Sequence, residues 1–440
     1  MTMNADEIIP TIKSRVLVDG FEIVPDLEKS HGSTLVDKRT GKEMLDMGYN
    51  QFGSLTIGYN HPATQDPDYV KRLLNASNIR WALSDLYPEY YAEFVAEFSS
   101  VLPEGFKHLF FIDGGALAVE NALKTAFDWK TRKNYAEKDA IPGDMIMHLK
   151  NAFHGRTGYT LSLTNTADPN KYKFFSKFDW PRVHNPAATF QRDGSVTYDN
   201  EELAKAEIEE AIKKYNYRIA AMIVEPVQGE GGDNYFSPSF FRFIRQKADE
   251  HGFLLIFDEV QTGWSTGEWW ASDHLTGGVR PDIFSFGKKT QQCGIAANTR
   301  IDEIKDNVFN VSSRLNSTWG GTLSDMVRST QFIRTIKKEG LIENSRRIGD
   351  KIKKILLNET DAEFVSNIRG SGGWIAFTLP TQEIRDKVWK EAYSKGAMTL
   401  KSGFTSIRMR PNLAFSEEDV DKGMAVLLPE IEAARKEWKN

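Results

Sequence analysis

The chain contains a single cysteine, Cys293, in 440 residues. One thiol cannot form an internal disulfide, so the fold lacks the covalent framework that small secreted domains use. A metal cage built only from cysteines is excluded for the same reason. We therefore expect a chain that is held together by its hydrophobic core, and we expect no metal site.

Long apolar runs are absent as well. No stretch approaches 18 consecutive apolar residues, and residues 1–16 (MTMNADEIIPTIKSRV) have no apolar signal core. We expect neither membrane spanning nor secretion, and a cytoplasmic location. Neither sign of charge dominates, because 56 Lys and Arg stand against 61 Asp and Glu. Without a basic field the chain is not expected to recruit nucleic acid, and a small molecule is the expected partner.

The pattern of apolar residues indicates an α/β protein. The beginning of the chain is turn-rich, and from about residue 77 long helices alternate with short apolar strands. Bare apolar runs such as 219–226 (IAAMIVEP) and 253–260 (FLLIFDEV) predict a mostly parallel sheet that is covered on both faces. A chain of this length exceeds one small core. We predict a large domain, 66–328, and a smaller α+β domain made of residues 1–65 and 329–440.

Two reactive residues follow apolar strands, at the edge where an open parallel sheet binds ligands. Asp258 ends the run 253–260, and a buried carboxylate is costly unless it meets a cation or a donor. Lys288 follows the run 281–287 (PDIFSFG) about thirty residues later, which is enough for one crossover back into the sheet. We expect the acid and the amine at the same edge, although an ordinary buried salt bridge also explains Asp258.

A third stretch has the features of a phosphate site. Residues 107–124 read as a strand, the turn Asp113–Ala116 and a helix. Glycines let the backbone approach a ligand, and the free amides of a helix N-terminus favour a phosphate. An ordinary strand-to-helix turn is the competing interpretation.

Further candidates lie in four segments. Taken singly, each of them could equally be a helix cap, a turn residue or part of a surface ion pair. Phe153 and Arg156 offer a ring for stacking and a planar fork for a carboxylate, while His154 is expected to be structural. The remaining candidates are Glu225 and Glu230 in VEPVQGEGGD (224–233), Asn316, Ser317 and Thr318 in SRLNSTWGGT (313–322), and Arg408 and Arg410 in SIRMRPNL (406–413). We expect Arg410 to face the opposite side of its strand and to be the weaker candidate.

A lysine, an acid and an anion site at one sheet edge are what pyridoxal phosphate requires. The stretches IFDEVQTG (256–263), FHGRT (153–157) and FGK (286–288) together resemble the class III pyridoxal-phosphate aminotransferases of fold type I. The resemblance covers nearly the whole chain. It departs at residues 263–267 (GWSTG), where relatives commonly have one residue more.

The resemblance implies a role for each matching residue. Lys288 would form the Schiff base with pyridoxal 5′-phosphate and move the proton during catalysis, and Asp258 would pair with the pyridine nitrogen. The other implied cofactor contacts are Phe153 on the ring, Gln261 on the phenolic oxygen, the amides of Gly115 and Ala116 on the phosphate, and Thr318 on the phosphate of the neighbouring subunit. The last contact implies a homodimer.

The resemblance also implies an activity. DGGALAVENALK (113–124) and FGKKTQQCG (286–294) look like the lysine 6-aminotransferase branch, whereas the ornithine and 4-aminobutyrate branches read closer to SGTEANEAALK at the first stretch. The expected reaction moves the side-chain amine of L-lysine to 2-oxoglutarate. Another ω-amine donor, or an aminomutase on the same fold, is the alternative. Implied substrate contacts are Arg156 on the distal carboxylate, Asn316 on the α-end of lysine, and Glu230, which pairs with Arg408 and releases it for 2-oxoglutarate.

Lys288 and Lys289 are adjacent, and the resemblance selects the first as the reacting amine. In an extended segment, neighbouring side chains point to opposite sides. We therefore expect Lys289 to be a structural or ion-pairing neighbour that does not face the cofactor.

Overall fold

The computed structural model describes residues 3–48, 53–138 and 140–439. Within these ranges the chain forms eleven α-helices and sixteen strands. The helices are α1 (Ala5–Lys13), α2 (Pro67–Ser77), α3 (Glu89–Ser99), α4 (Gly115–Glu137), α5 (Gly158–Leu163), α6 (Glu201–Tyr215), α7 (Pro238–His251), α8 (Leu323–Glu339), α9 (Leu341–Glu359), α10 (Gln382–Ser394) and α11 (Glu417–Trp438). The strands are β1 (Thr34–Val36), β2 (Glu43–Asp46), β3 (Phe106–Ile112), β4 (Met145–Leu149), β5 (Arg182–Val183), β6 (Ala188–Phe190), β7 (Val196–Tyr198), β8 (Ile219–Val224), β9 (Leu254–Glu259), β10 (Ile283–Phe286), β11 (Cys293–Asn298), β12 (Ser366–Ser371), β13 (Trp374–Thr378), β14 (Ala397–Met398), β15 (Leu400–Ser402) and β16 (Ser406–Met409).

A seven-stranded sheet with the order β3-β11-β10-β9-β8-β4-β5 organises the centre of the molecule. Five neighbouring strands, from β10 to β5, pair in parallel, and β11 runs antiparallel to both of its neighbours. The predicted mostly parallel sheet is therefore confirmed.

The central strands lack polar alternation because both faces of the sheet are covered. Leu255 and Phe257 of β9 pack into one hydrophobic cluster, and Leu254 and Ile256 pack into another on the opposite face. All six residues of β8 and all six of β9 are buried. This double burial is what an uninterrupted apolar strand indicates.

Capping residues in the sequence determine where the helices that flank the sheet begin and end, as α7 shows. Ser237 caps α7, its Oγ accepting a hydrogen bond of 2.8 Å from the Phe240 amide, and Pro238 fits the first helical position. Gly252 then ends the helix with a φ of 61°, a left-handed conformation that glycine adopts without strain.

Smaller sheets combine both ends of the chain. β14 pairs with β2 in a three-stranded sheet, and β12, β13, β16 and β15 form an antiparallel sheet. A separate core cluster joins Met47 to apolar residues between Ile348 and Ala434. The exact limits of the two predicted domains, 1–65 with 329–440 and 66–328, stay a prediction.

The loop at 263–267 is a tightly packed turn. The Trp264 indole is completely buried, and its amide donates to the Trp269 carbonyl at 2.7 Å. Among the helices of the described ranges, none has the length and the apolar character needed to cross a bilayer.

Candidate active site

A cavity of about 370 Å³ lies at the carboxyl ends of the parallel strands. The crossover between β9 and β10 brings Asp258 and Lys288 to this cavity, as the spacing predicted. Eight of the candidate residues line it: Gly115, Ala116, Phe153, Arg156, Glu225, Asp258, Gln261 and Lys288.

Asp258 is held by three donors at the end of β9. His154 Nδ1 lies 2.8 Å from its Oδ2, and the Ser285 hydroxyl and the Val260 amide donate to its Oδ1 at 3.0 and 3.1 Å. The residue is 5% exposed. These hydrogen bonds stabilise a carboxylate that burial alone would disfavour.

Lys288 projects into the cavity from a single 3-10 turn, Lys288–Thr290. Its φ is 54°, a conformation that is uncommon outside glycine and that clusters at functional sites. Burial lowers the pKa of Lys288 to about 8, and the positive charge of Arg410 adds to the effect. A substantial fraction of this amine is therefore neutral near physiological pH.

Lys289 points away from the cavity. Its Nζ donates to the carbonyl oxygens of Leu55 at 2.8 Å and Pro411 at 3.3 Å, and burial lowers its pKa to about 7. The doublet is not extended as we expected. A 3-10 turn rotates successive side chains by about 120°, so the two amines still diverge.

The start of α4 supplies backbone donors at the opposite side of the cavity. Gly115 is the first residue of this 23-residue helix, and Gly115 and Ala116 both line the cavity. A Cβ at Gly115 would lie 2.6 Å from a methyl carbon of Val260, so no side chain fits between the helix and the end of β9. The first amides of a long helix form a binding position for an anion.

Glu225 links the strand β8 to Phe153. Its carboxylate accepts hydrogen bonds of 3.0 Å from the amides of Phe153 and Gly229. Burial raises the pKa of Glu225 to about 7, and the nearby negative charge of Asp258 acts in the same direction. This carboxyl positions the stretch that carries the stacking ring.

Two arginines from the C-terminal sheet meet the loop that follows β8. Arg408 Nη2 lies 2.6 Å from Glu230 Oε1, so the expected pair is present. Arg410 Nη2 lies 3.0 Å from Asp233 Oδ1, and Arg410 Nη1 lies 2.5 Å from Gln261 Oε1.

Our expectation that Arg410 faces away from Arg408 is wrong. Residues two positions apart along a strand share a face, and both guanidinium groups are turned to the same loop. Burial lowers the pKa of Arg410 to about 10, and the charge of Arg408 contributes. Arg410 is therefore a second buried cation beside the cavity.

Asn316 and Thr318 are not brought to the cavity of their own chain. Both are exposed, and Asn316 Oδ1 accepts only a local hydrogen bond from the Ser317 amide at 2.7 Å among the contacts recorded for it. The Thr318 carbonyl accepts a hydrogen bond from the Ser84 hydroxyl at 3.1 Å.

Two contributors, Ser285 and Lys171, were not recognised from the sequence, and the partner of His154, a residue expected to be structural, was not predicted. His154 reaches Asp258 across 104 residues, and no local pattern announces that contact. Ser285 lies opposite Asp258 in the parallel register and is the polar residue of an otherwise apolar strand, which is a usable signal. Lys171, whose Nζ lies 3.3 Å from Glu230 Oε2, ends a short 3-10 helix, Pro169–Lys171, and nothing local in the sequence indicates its contact with Glu230.

Comparison with known proteins decides the family. The family model described as aminotransferase class-III matches residues 19–429. The chain belongs to the class III aminotransferases. An L-lysine-epsilon aminotransferase of Mycobacterium tuberculosis is 44% identical over 429 residues, with 96% of this chain and 94% of that protein covered. A 4-aminobutyrate aminotransferase of Sus scrofa is 33% identical over 446 residues, with 93% and 87% covered.

A solved structure extends the likeness to three dimensions. The lysine aminotransferase from M. tuberculosis superposes with a TM-score of 0.93 at 42% identity, and the match covers 98% of this chain and 100% of that one. The fold-type-I architecture expected from the sequence is thereby confirmed.

Pyridoxal 5′-phosphate is the cofactor of this class III aminotransferase. The cavity fits it, because a buried amine with a lowered pKa, a hydrogen-bonded acid and a helix N-terminus surround one space. Phe153 lines the same space and offers a ring face.

The lowered pKa of Lys288 predicts a pH dependence. Only the neutral amine attacks an aldehyde, and an amine with a pKa of about 8 becomes neutral well below the pH that a lysine with a pKa of 10.5 requires. The rate at which the cofactor-free protein captures pyridoxal phosphate should rise with pH and level off above about pH 9. The measurement is the change in visible absorption with pH, with Nα-acetyl-lysine as the control. A rate that still climbs beyond about pH 10 would contradict the assignment.

The two lysines should respond differently to substitution. Lys288→Ala removes the amine that faces the cavity, so borohydride treatment should attach no cofactor to the protein. Lys289→Ala should retain the attachment but lower the free energy of unfolding by about 1–3 kcal/mol, because two carbonyls lose their donor. Peptide mass analysis and denaturant titration measure the two effects. Cofactor fixed to the Lys288→Ala protein at residue 289 would reverse our assignment.

Proposed function

We propose that this chain transfers the side-chain amino group of L-lysine to 2-oxoglutarate, producing 2-aminoadipate 6-semialdehyde and L-glutamate. The observation that carries the proposal is the Glu230–Arg408 ion pair beside the cavity of Lys288 and Asp258. Relatives named L-lysine-epsilon aminotransferase, which are 39–44% identical over nearly the whole chain, support it.

Each residue at the cavity receives one role in this proposal. When bound, pyridoxal 5′-phosphate supplies an electron sink for negative charge on the reacting carbon. Asp258, oriented by His154 and Ser285, holds the proton on the ring nitrogen. Lys288 Nζ takes the proton from the substrate carbon as a general base and then donates it as a general acid. The cofactor is held by Phe153 at the ring, Gln261 at the phenolic oxygen, and the amides of Gly115 and Ala116 at the phosphate.

One pocket has to receive two different substrates. Lysine presents an apolar chain near the reacting centre, whereas 2-oxoglutarate presents a carboxylate there. The Glu230–Arg408 pair neutralises the arginine for the first substrate, and Glu230 releases Arg408 for the second. Arg408 is 1% exposed, and its Nε and Nη1 have no hydrogen-bond partner within the described ranges, which supports its use as a carboxylate ligand.

The mouth of the cavity provides the second carboxylate position. Arg156 is exposed and lines the cavity, so it can hold the carboxylate that lies far from the reacting centre. Both L-lysine and 2-oxoglutarate carry a carboxylate at that end. Arg156 can therefore bind either substrate without a change of partner.

We propose further that the active unit is a homodimer. Thr318 and Asn316 are exposed in the single chain. Residues that reach the cofactor phosphate and the substrate of a neighbouring subunit have to be exposed in this way. Two large exposed side chains lie near them in the chain or through Ser84: Trp319 is 38% exposed, and Tyr87, whose hydroxyl donates to the Ser84 carbonyl, is 75% exposed. A patch of this kind favours burial against a second copy. The cytoplasmic location stays a prediction.

A panel of amine donors tests the substrate assignment. L-lysine should support glutamate formation from 2-oxoglutarate at least about ten-fold better, in kcat/KM, than ornithine or 4-aminobutyrate, and the product should be the 6-semialdehyde. An ornithine or 4-aminobutyrate preference would favour another ω-aminotransferase. Isomerised lysine formed without an oxo-acid would favour an aminomutase.

Removal of the Glu230 charge tests the exchange of partners. Glu230→Gln keeps the shape of the side chain but removes the charge that pairs with Arg408, so the chain of the lysine substrate then meets an unpaired cation. Turnover with lysine should therefore fall at least about ten-fold more than turnover with glutamate as donor. Single-turnover rates with each donor measure the ratio. Equal losses for both donors would contradict the exchange.

Subunit mixing tests the dimer. Lys288→Ala and Thr318→Ala proteins should each be impaired, whereas a mixed dimer contains one site with both Lys288 and a partner's Thr318. Mixing after reversible dissociation should therefore restore activity toward one quarter of the unmodified protein, since half of the dimers are mixed and each has one intact site. No gain on mixing would exclude the shared site.

A further inference from the structure

Glu230 is held by two cations, one on each carboxylate oxygen. Its Oε1 lies 2.6 Å from Arg408 Nη2, and its Oε2 lies 3.3 Å from Lys171 Nζ. The side chains of Glu230 and Lys171 are 20% and 18% exposed, whereas that of Arg408 is 1% exposed. Lys171 therefore approaches Glu230 from the open side of the pocket, and Arg408 approaches it from the interior.

The backbone around Glu230 is fixed. Arg369, a buried residue of β12, donates to the Asp233 carbonyl at 2.9 Å and to the Gly232 carbonyl at 2.5 Å. A Cβ at Gly231 would lie 2.3 Å from the Asn151 carbonyl oxygen, which shows how closely the loop is packed. Any change of partner by Glu230 therefore takes place through rotation of its side chain, with the loop in place.

Arg410, the other buried cation of this cluster, already uses both of its terminal nitrogens, and its Nε alone has no hydrogen-bond partner within the described ranges. It contacts Asp233 at 3.0 Å and Gln261 at 2.5 Å, and its guanidinium carbon lies 3.4 Å from the centre of the Trp374 ring. A Glu230 carboxylate that took the terminal nitrogens of Arg410 would leave the buried Asp233 carboxylate with the Ser402 hydroxyl but without its ion-pair partner, which is costly.

Lys171 has the position and the charge to receive that carboxylate. Its ammonium lies 5.6 Å from the centre of the Phe153 ring, which keeps it next to the cavity. Burial alone would raise the pKa of Glu230, but the charges of Arg408 and Lys171 outweigh it and hold that pKa well below its usual range. Glu230 is therefore ionised where it pairs with Arg408, and a buried carboxylate that leaves Arg408 needs another cation beside it to keep its charge.

We propose that Lys171 is the residue that retains the Glu230 carboxylate when the carboxylate of an oxo-acid takes Arg408. The inference rests on the proposed function, in which Glu230 pairs with Arg408 for lysine and releases it for 2-oxoglutarate. It adds Lys171 as the partner of Glu230 after that release. Lys171 acts through Glu230 and does not touch the substrate, so it is a positioning residue. It contributes more to the form that binds a dicarboxylate, in which it is the cation left on Glu230, than to the form that binds lysine, in which Arg408 pairs with Glu230 as well.

Binding of glutarate, an unreactive dicarboxylate, to the cofactor-loaded protein tests the proposal. Lys171→Met removes the charge and keeps most of the chain length, and the Kd of glutarate should rise about five- to ten-fold, as expected for a partly buried ion pair. Lys171→Arg should restore binding to within about two-fold. The single-turnover rate with L-lysine should change far less than glutarate binding does. Lys173→Met, two residues along the same segment, is the matched control and should bind glutarate normally.

A double substitution separates the indirect role from direct contact. In a Glu230→Gln background, Lys171→Met should change the Kd of glutarate by less than about two-fold, because the charge that Lys171 holds is gone. An undiminished effect in that background would mean that Lys171 binds the dicarboxylate itself and would overturn the proposal. An equal loss of lysine turnover and glutarate binding in Lys171→Met would overturn it as well.

The result of the donor panel and the results of the Lys171 measurements are independent of each other. If the unmodified protein prefers another ω-amine but the Lys171 effect disappears with Glu230→Gln, the substrate assignment falls and the role of Lys171 stands.

Discussion

The ion pair between Glu230 and Arg408 is the constraint on which the chemistry of this pocket depends. A guanidinium that is 1% exposed cannot lose its proton and cannot stay unpaired without a large desolvation cost. Some carboxylate must therefore meet Arg408 throughout the reaction. In the exchange that we propose, the protein supplies that carboxylate when the substrate has an apolar chain, and a dicarboxylate substrate supplies its own.

The fold makes this arrangement possible because side chains from the seven-stranded sheet and from the four-stranded C-terminal sheet meet near one cavity. The parallel strands β9 and β10 place Asp258 and Lys288 at the cavity, and β16 of the C-terminal sheet adds Arg408. The loop after β8 lies between them and carries Glu230. Cations from one sheet thereby act on the amine of the other, since the charges of Arg410 and Arg408 help to lower the pKa of Lys288.

Much of this could be predicted where the signal is local in sequence. Uninterrupted apolar runs predict doubly covered strands, and a residue directly after such a run lies at the ligand edge, which places Asp258 and Lys288. Contacts that depend on tertiary packing could not be predicted. His154 and Asp258 lie 104 residues apart, and Lys171 and Glu230 lie 59 residues apart. The prediction for Arg410 is wrong because side chains two positions apart along a strand share a face.

The two lysines show why burial alone does not identify a reacting group. Burial lowers the pKa of both Lys288 and Lys289, so a lowered pKa does not by itself distinguish the two amines. Orientation decides, because Lys289 is tied to two backbone carbonyls and Lys288 lines the cavity.

A crystal structure of the cofactor-loaded protein with glutarate bound would show which group occupies Arg408. We predict that a glutarate carboxylate lies on Arg408 while the Glu230 side chain has rotated and remains within hydrogen-bond distance of Lys171 Nζ. A structure in which glutarate is bound at the cavity and Glu230 still pairs with Arg408 would contradict it.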